Sequence, residues 1–367
     1  MTATAEHAAV AAPEFDAEHY LYERYHGERG GRSPLLALYY ALKPVLPRRV
    51  QLAMRRAYAP KQMARAFPAW PFEPVLVDHE EEALRALVAE NGGAPVSIVN
   101  HWPLRKQFAA VLTHDVEGPR GVANIERVLE VEQRHGFTSS WNFVAEWYDI
   151  PDGTFDLIRR SGCEIGLHGI KHDGRLFQSR AHFEADLPKI RHYAEAWGVE
   201  GFRSPATGRN AYWMHELPVS YDSSFPDSDP FEPQPGGCCS ILPYSFGDVI
   251  ELPITLVQDH TLYAILRERT PRLWLDKAAW IERHHGLVNL ITHPDYLADP
   301  GLLDLYDQFL GYLRQRDDCW HALPRDVADW WRTRERILSG TATVAAEAAA
   351  TTVWVSVDAD GNLLIER

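Results

Sequence analysis

The chain has 367 residues, of which 46% are hydrophobic and 24% are charged, and its formal net charge is −14. This composition is typical of a globular protein with a sizeable core. The negative charge argues against general nucleic-acid binding, which requires basic surface. No stretch approaches the about 18 consecutive apolar residues of a membrane-spanning helix, and the first residues lack the basic and apolar segments of a secretion signal. We therefore expect a cytoplasmic protein.

Residues 1–105 are predicted to form an N-terminal extension. Residues 33–65 have a helical pattern that Pro44 and Pro47 divide into two amphipathic helices. Residues 21–65 contain ten Lys or Arg against two Asp or Glu. We interpret these helices as packed on the main domain. The alternative is a peripheral contact of residues 33–65 with anionic lipid at the inner face of the membrane, or with a glycolipid substrate.

A short helix over residues 80–90 and a strand over 95–102 precede the main domain. From 106 to 336, short apolar strands then alternate with longer helical segments, which indicates parallel strands joined by crossover helices. The predicted strands are 108–114, 139–144, 164–168, 201–204, 219–222, 249–256 and 287–292, and the predicted helices are 121–135, 152–161, 179–197, 271–285, 301–316 and 325–336. Seven strands favour an α/β barrel over an open sheet.

Residues 337–367 are predicted to be a linker and a C-terminal hairpin. The stretch 341–352 is rich in Ala and Thr, as a linker would be. Two apolar runs then flank Asp358-Ala359-Asp360-Gly361-Asn362, which is a turn sequence typical of hairpins. The four cysteines do not have the pattern of a disulfide framework in a chain of this length.

Polar side chains follow the predicted strands, at the rim where catalytic groups of α/β barrels collect. Asp115 and Glu117 alternate at the end of the first strand and therefore project the same way. His168 and His172 lie four residues apart after a later strand, so one turn or tight loop brings both imidazoles to one side. Two imidazoles and one carboxylate can hold a catalytic divalent metal with a position open for water. The second carboxylate is then free to act as a base.

These residues resemble the five motifs of the NodB-like polysaccharide deacetylase family, over about residues 106–330. The motifs, in order, are Asp115-x-Glu117, His168-x-x-x-His172, Arg203-Ser204-Pro205, Tyr221-Asp222-Ser223-Ser224 and Leu290-Ile291-Thr292-His293-Pro294. The resemblance implies a distorted (β/α)7 barrel that hydrolyses acetamido groups with one bound divalent metal ion. Zinc is the first choice for that ion, with cobalt, nickel, manganese and iron as alternatives.

By this resemblance, His168, His172 and Glu117 are the metal ligands and Asp115 is the general base. Two positions depart from the family pattern. The usual motif has two adjacent aspartates, whereas here the second carboxylate is Glu117, two residues after Asp115. The Glu117 side chain is one methylene longer than that of an aspartate, which affects how tightly a metal binds and which metal is preferred. Gly169 stands where Ser or Thr is usual, so a hydroxyl that would help to orient the loop is absent.

The remaining motifs imply the supporting groups. Arg203 is expected at hydrogen-bond distance from Asp115, where its charge keeps the carboxylate ionised. His293 is expected to be the general acid that protonates the leaving amine, with its pKa raised by a neighbouring carboxylate. Asp222 is the first choice for that carboxylate, and Asp227 and Asp295 are the alternatives. Other candidates for substrate contact, near predicted strand ends or as aromatic cleft residues, are His114, Asp259, His260, Trp141, Asn142, Trp213 and Trp274.

The sequence thus predicts a metal-dependent amide hydrolase that removes an acetyl or similar small acyl group from an N-acylated amino sugar. A small-molecule or glycolipid biosynthetic intermediate is the expected substrate. The first alternative is an allantoinase-like hydrolase that acts on a ring amide or a formamide. The second is a non-catalytic barrel that serves as a binding module, which the joint presence of base, ligands, arginine and acid disfavours.

Overall fold

The computed structural model describes residues 15–27, 46–347 and 349–366. The first predicted amphipathic helix, within residues 33–45, lies outside this part. The extension begins with a short helix, Ala17–Leu21, and continues with the helices Arg48–Met63 and Val75–Glu90. In the described parts of the chain, no helix is both long and apolar enough to cross a bilayer. The four cysteines form no disulfide bond.

The main domain is a curled α/β sheet of nine strands. Its strands are β2 (Phe108–Val116), β3 (Ser140–Phe143), β4 (Glu164–Leu167), β5 (Gly201–Phe202), β6 (Tyr221–Asp222), β7 (Tyr244–Phe246), β8 (Val249–Glu251), β9 (Leu287–Thr292) and β10 (Cys319–His321), after β1 (Val96–Val99) in the extension. Neighbours pair in parallel in the order β9-β2-β3-β4-β5-β6-β8. β10 adds in parallel to the start of β2, and β7 adds antiparallel to β8. The predicted α/β barrel of seven parallel strands is confirmed.

Amphipathic helices cover the outside of the barrel. They are Pro119–Val122, Ile125–His135, Thr154–Arg160, Arg180–Trp197, Arg272–Arg283, Pro294–Leu297, Pro300–Arg314 and Pro324–Leu338. All nine residues of β2 are buried, because its inner face meets the barrel core and its outer face meets these helices. A strand covered on both faces needs a continuous apolar run, and Phe108–Leu112 provides one.

Side chains close the barrel between β9 and the segment that follows β8. The amide of Leu256 donates to the carbonyl of Asn289 at 3.1 Å. The Thr255 hydroxyl donates to the carbonyl of Leu287 at 2.6 Å and accepts from the amide of Asn289 at 2.9 Å. The Asn289 carboxamide donates to the carbonyls of Leu252 and Pro253, each at 3.0 Å. Side-chain hydrogen bonds of Thr255 and Asn289 therefore take the place of most backbone–backbone hydrogen bonds between β9 and this segment.

The two ends of the chain meet in a second sheet. The predicted tail hairpin is present as β11 (Thr352–Val357) and β12 (Leu363–Glu366). β11 also pairs antiparallel with β1, with Val96 opposite Val355. Val88 of the helix Val75–Glu90 packs against Val353 and Val355 in a small separate core. The N-terminal extension and the tail, which were predicted as separate additions, are thus joined.

The extension also contacts a loop at the rim of the barrel, residues 226–239, which we call the rim loop. In the helix Arg48–Met63, Arg55 donates to the carbonyl of Phe231 at 3.0 Å and Gln62 donates to that of Pro230 at 2.6 Å. On the same helix, Arg56 donates to the carbonyl of Ala264 at 2.9 Å. The expected packing on the main domain is therefore observed, and two of the basic side chains point inward.

The segment 15–27 contacts the same rim. Glu23 accepts two hydrogen bonds from the Arg209 guanidinium, at 2.6 and 2.8 Å, and both side chains are buried. The Tyr25 hydroxyl donates to the carbonyl of Gly237 at 2.6 Å and accepts from its amide at 2.9 Å. A side chain at Gly236 would collide with His26 and Tyr25. Two separate pieces of the extension therefore fix the conformation of the rim loop.

Candidate metal and catalytic site

The motif residues converge at the C-terminal rim of the barrel. Asp115 lies on β2 and Glu117 follows directly after it. His168 follows β4, Arg203 follows β5, and His293 follows β9. Because the strands are parallel, all these positions lie at the same end of the sheet.

Glu117, His168 and His172 form a cluster that we call the metal triad. Each offers one ligand atom, and these atoms lie within 4.8 Å of one another. The distance from His172 Nε2 to Glu117 Oε1 is 2.8 Å. His168 Nδ1 donates to the carbonyl of Arg203 at 3.0 Å, so its lone pair is on Nε2. That Nε2 atom is buried and has no hydrogen-bond partner.

The donor set fits a divalent cation. Burial lowers the pKa of His168 to about 4, although Asp115 opposes the shift, so the imidazole is neutral at neutral pH. Burial alone would raise the pKa of Glu117, but the charge of His293 and hydrogen bonds from His172 and His293 keep it well below its usual value. Two imidazoles, one carboxylate and the buried Nε2 atom of His168 without a partner are the features expected of a zinc-type site.

Gly169 is required by the conformation of the loop between the two histidines. Its φ is +68°, a left-handed value that favours glycine. A Cβ atom there would lie 2.8 Å from Cδ of Pro205. The Ser or Thr of the family pattern would therefore clash at this position.

Asp115 is buried beside the metal triad and is ionised. Its Oδ1 accepts a hydrogen bond from Asn142 Nδ2 at 2.9 Å, and its Oδ2 is 3.8 Å from His168 Nε2. Burial would raise the pKa of Asp115, but His168, which is protonated at the low pH where Asp115 titrates, the charges of Arg203 and His293 and the bond from Asn142 lower it overall. The Arg203 Nη1 atom lies 3.6 Å from Oδ2. The expected hydrogen bond from Arg203 is thus an ion pair, and Asn142 supplies the hydrogen bond.

Arg203 is held by its own set of partners inside the barrel. Only 1% of the residue is exposed. Its Nη2 atom donates to the hydroxyls of Thr113 at 3.2 Å and Ser223 at 2.9 Å. The guanidinium therefore has a fixed position behind Asp115.

The carboxylate beside His293 is Asp259, and the structure does not place Asp222 there. Asp259 Oδ1 accepts from His293 Nδ1 at 2.6 Å, and its Oδ2 accepts from the His293 amide at 2.7 Å. This leaves Nε2 of His293 at 3.5 Å from Glu117 Oε1, at the edge of the metal triad. Burial would lower the pKa of His293, but Asp259 and Glu117 raise it well above its usual value.

The three carboxylates favoured by the sequence have other partners. Asp222 accepts from the amide and hydroxyl of Ser224 and is the cross-strand neighbour of Glu251. Both are fully buried, so burial and their mutual repulsion raise the pKa of Glu251 well above its usual value. Asp227 lies 2.7 Å from Lys277 Nζ, and Asp295 accepts from the amide of Gly121. The pairing of His293 with Asp222, Asp227 or Asp295 is replaced by Asp259.

Asp259 and Asn142 were predicted only as candidates for substrate contact, and Glu232 on the rim loop was not predicted. Glu232 is half-buried, and burial and the charge of Asp229 raise its pKa to about 7. The charges of Arg55, His293 and Glu117 also act on it. Neither a strand end nor a motif marks Glu232 in the sequence. A carboxylate of the rim loop therefore lies within electrostatic reach of the candidate site.

Several other candidates are core residues. Trp141 and Trp274 are fully buried, and His114 bonds to Thr292 and Glu132 inside the domain. Trp147 is instead an exposed aromatic residue, with 52% of its surface accessible. Its neighbour Glu146 donates its amide to the carbonyl of Ile170, within the loop that carries the metal-triad histidines.

Comparisons with known proteins agree with this architecture. A protein described as a polysaccharide deacetylase from Mycobacterium smegmatis is 22% identical, with a TM-score of 0.51 over 66% of this chain and 94% of that one. One with the same description from Pseudomonas aeruginosa is 18% identical, with a TM-score of 0.50 over 64% and 93% of the two chains. The PuuE allantoinase is 15% identical, with a TM-score of 0.49 over 64% and 93%.

No protein-family model and no curated protein sequence matches the chain. Because the structural relatives are less than 25% identical, their likeness establishes the fold, and the activity has to be argued from the residues of this chain. The main domain therefore has the NodB-like polysaccharide deacetylase fold that its five sequence motifs predicted.

Proposed function

We propose that the chain is a metal-dependent amide hydrolase that removes an acetyl or similar small acyl group from an N-acylated amino sugar. The observation that carries this proposal is the position of an ionised carboxylate and a protonated imidazole next to the metal triad. Asp115 Oδ2 lies 3.8 Å from His168 Nε2, and His293 Nε2 lies 3.5 Å from Glu117 Oε1. Amide hydrolysis needs a base for the attacking water and an acid for the leaving amine.

The metal triad would hold the divalent ion. When bound there, such an ion supplies a Lewis acid for the amide carbonyl and lowers the pKa of a coordinated water. Zinc is the first choice because two imidazoles and a carboxylate are a common zinc donor set.

Asp115 is the base in this proposal. Its lowered pKa keeps it ionised at neutral pH, so it can accept the proton of the attacking water. Asn142 and Arg203 fix its two oxygens, which leaves the Oδ2 side directed toward His168. This arrangement orients the carboxylate before substrate binds, and no reorganisation is needed during the reaction.

His293 is the acid. Asp259 accepts a hydrogen bond from Nδ1–H of His293, which orients the ring so that Nε2 faces the metal triad, and Nε2–H is the group that donates its proton to the leaving nitrogen. The raised pKa keeps the ring protonated at neutral pH. An amine leaves only after it is protonated, so this proton transfer permits cleavage of the carbon–nitrogen bond.

An N-acylated amino sugar is favoured as substrate by Trp147 as well as by the fold. This exposed indole lies on the loop paired with the metal-triad loop, where an aromatic face can pack against a sugar ring. A ring amide or formamide, as in an allantoinase-like enzyme, needs the same base and acid and is the second candidate. A small molecule and a glycolipid both remain candidate carriers of the acyl group.

The proposal is tested by measuring acetate release from a panel of acetamido sugars, with allantoin and a formamide beside them. We expect acetate release that stops after metal removal by a chelator and returns when zinc is added. Turnover of allantoin without acetate release would move the assignment to the second candidate. A metal-replete protein that hydrolyses none of these amides would contradict the proposal.

Asp259→Asn is expected to lower kcat at least about tenfold and to change the pH profile. The acid must be protonated, so the rate falls as pH rises through the pKa of His293. Asp259 is the largest contribution that raises this pKa, so the substitution should move the alkaline limb to lower pH. Rate–pH profiles of both proteins provide the measurement. Asp222→Asn is the matched comparison, and an alkaline limb that moves in this variant but not in Asp259→Asn would refute the pairing.

A further inference from the structure

The helix Arg48–Met63 has an apolar stripe on the face that points away from the domain. Val50 is 41% exposed and Met54 is 45% exposed. Ala53 and Ala57 are also exposed and fall on the same stripe, because residues three and four apart share one side of a helix. In an ordinary surface helix this face would be polar. We call this stripe, with the flanking cations described next, the outer face.

The charges on this helix have one sign. It contains five basic residues and no acidic residue, in a chain whose net charge is −14. Arg55 and Arg56 point inward and donate to backbone carbonyls of the domain. Arg49 and Lys61 are exposed, as is Arg65 just beyond the helix. The outer face therefore combines apolar side chains with cations and has no anion of its own.

The outer face lies beside the candidate site. The opposite side of the helix packs Ala59 against Phe231 of the rim loop and against Ile265. Ile265 ends the helical turn His260–Ile265, whose preceding residue, Asp259, holds His293. Only one layer of side chains and one turn therefore separate this helix from the proposed acid.

We propose that the outer face binds an anionic lipid surface and brings the rim of the barrel to the lipid headgroups. Val50 and Met54 would enter the boundary between headgroups and acyl chains, while Arg49 and Lys61 contact lipid phosphates. A lipid surface offers acyl chains and phosphates together, which matches the combination of exposed apolar side chains and cations on the outer face. The inference does not depend on the proposed hydrolase activity, but it would give a hydrolase access to substrates carried on lipids.

The test is flotation of the full chain with vesicles, without substrate. One set contains phosphatidylcholine with phosphatidylglycerol, and the other contains phosphatidylcholine alone. We expect the protein to float with the anionic vesicles at low salt and to be released from them at high salt. It should not float with the neutral vesicles. Protein that stays at the bottom with anionic vesicles at low salt would overturn the inference.

Variants then locate the surface. Val50→Asp with Met54→Asp, and separately Arg49→Glu with Lys61→Glu, should each lower vesicle partitioning at least about tenfold. The matched controls are Trp354→Asp with Leu364→Asp, which alter exposed apolar residues of the second sheet, and Arg191→Glu with Arg272→Glu, which make the same charge change elsewhere. Both controls should bind like the wild type. If vesicle partitioning fell equally in the test and control pairs, lipid binding would not use the outer face. An unfolding temperature equal to that of the wild type confirms that each variant is folded.

Discussion

His168→Ala is expected to leave the protein folded and without bound metal. The substitution removes the buried Nε2 atom that has no partner in the protein, and with it one of the three donors of the metal triad. Loss of a ligand should cost more than the about 10–100-fold in metal affinity that changes in supporting residues cost. Mass spectrometry of metals should find one ion per wild-type chain and close to none in the variant. Acetate release should fall in parallel.

A thermal measurement separates this effect from misfolding. An ion that binds only the folded state raises the unfolding temperature, so added zinc should stabilise the wild type and leave His168→Ala unchanged. His192→Ala, at an exposed histidine of the helix Arg180–Trp197, is the matched control and should keep both metal and stabilisation. If His168→Ala retained a full complement of metal, the ligand assignment would be wrong.

Asp115→Asn is expected to keep the metal and lose turnover. The carboxamide has nearly the same shape, and its oxygen can still accept the hydrogen bond from Asn142. It cannot accept a proton from water, so kcat should fall by about 10²–10⁴-fold while substrate binding changes little. Steady-state kinetics and metal analysis on the same preparation measure the two properties together.

Asp152→Asn provides the control for this substitution, since Asp152 is exposed on a loop. It should behave like the wild type in both measurements. An Asp115→Asn protein with wild-type kcat would exclude Asp115 as the base. One that lost its metal would show that Asp115 belongs to the ligand set.

The convergence of the motif residues was predictable because parallel strands end at one rim. A buried apolar run before Asp115 and another before His168 are enough to place both side chains at the same end of a barrel. The order of the five motifs then identified the fold, and Glu117, His168 and His172 lie together as predicted. These inferences used only local patterns and strand direction.

The partner of His293 was not predictable in this way. Asp222 ends a strand and looked suitable, but its side chain lies beside Ser224 and Glu251. Asp259 lies after an irregular segment and at the start of a helical turn, so no periodicity in the sequence indicates its direction. The hydrogen bonds of Asp259 depend on how two distant segments pack, which a local pattern does not encode.

The orientation of the helix Arg48–Met63 was open for a similar reason. Arginine and apolar residues alternate around this helix, so its sequence is compatible with either face pointing inward. In the structure, Arg55 and Arg56 donate hydrogen bonds to backbone carbonyls of the domain. Buried carbonyl groups outside regular secondary structure need such donors. Pairing of β1 with β11 was equally hidden, because partners so far apart in the chain leave no local signal.

Because β1 pairs with β11, the second sheet can form only after the C-terminal part of the chain has been synthesised. Val96 is made roughly 250 residues before its partner Val355. At translation rates of about 5–20 residues per second, β1 waits on the order of 10–50 s for the strand that covers its edge. The barrel can assemble during that interval. The apolar side chains of β1 and of the helix Val75–Glu90 stay exposed, however, because the tail hairpin that covers them has not yet been made. This region is therefore where we expect a nascent-chain chaperone to bind.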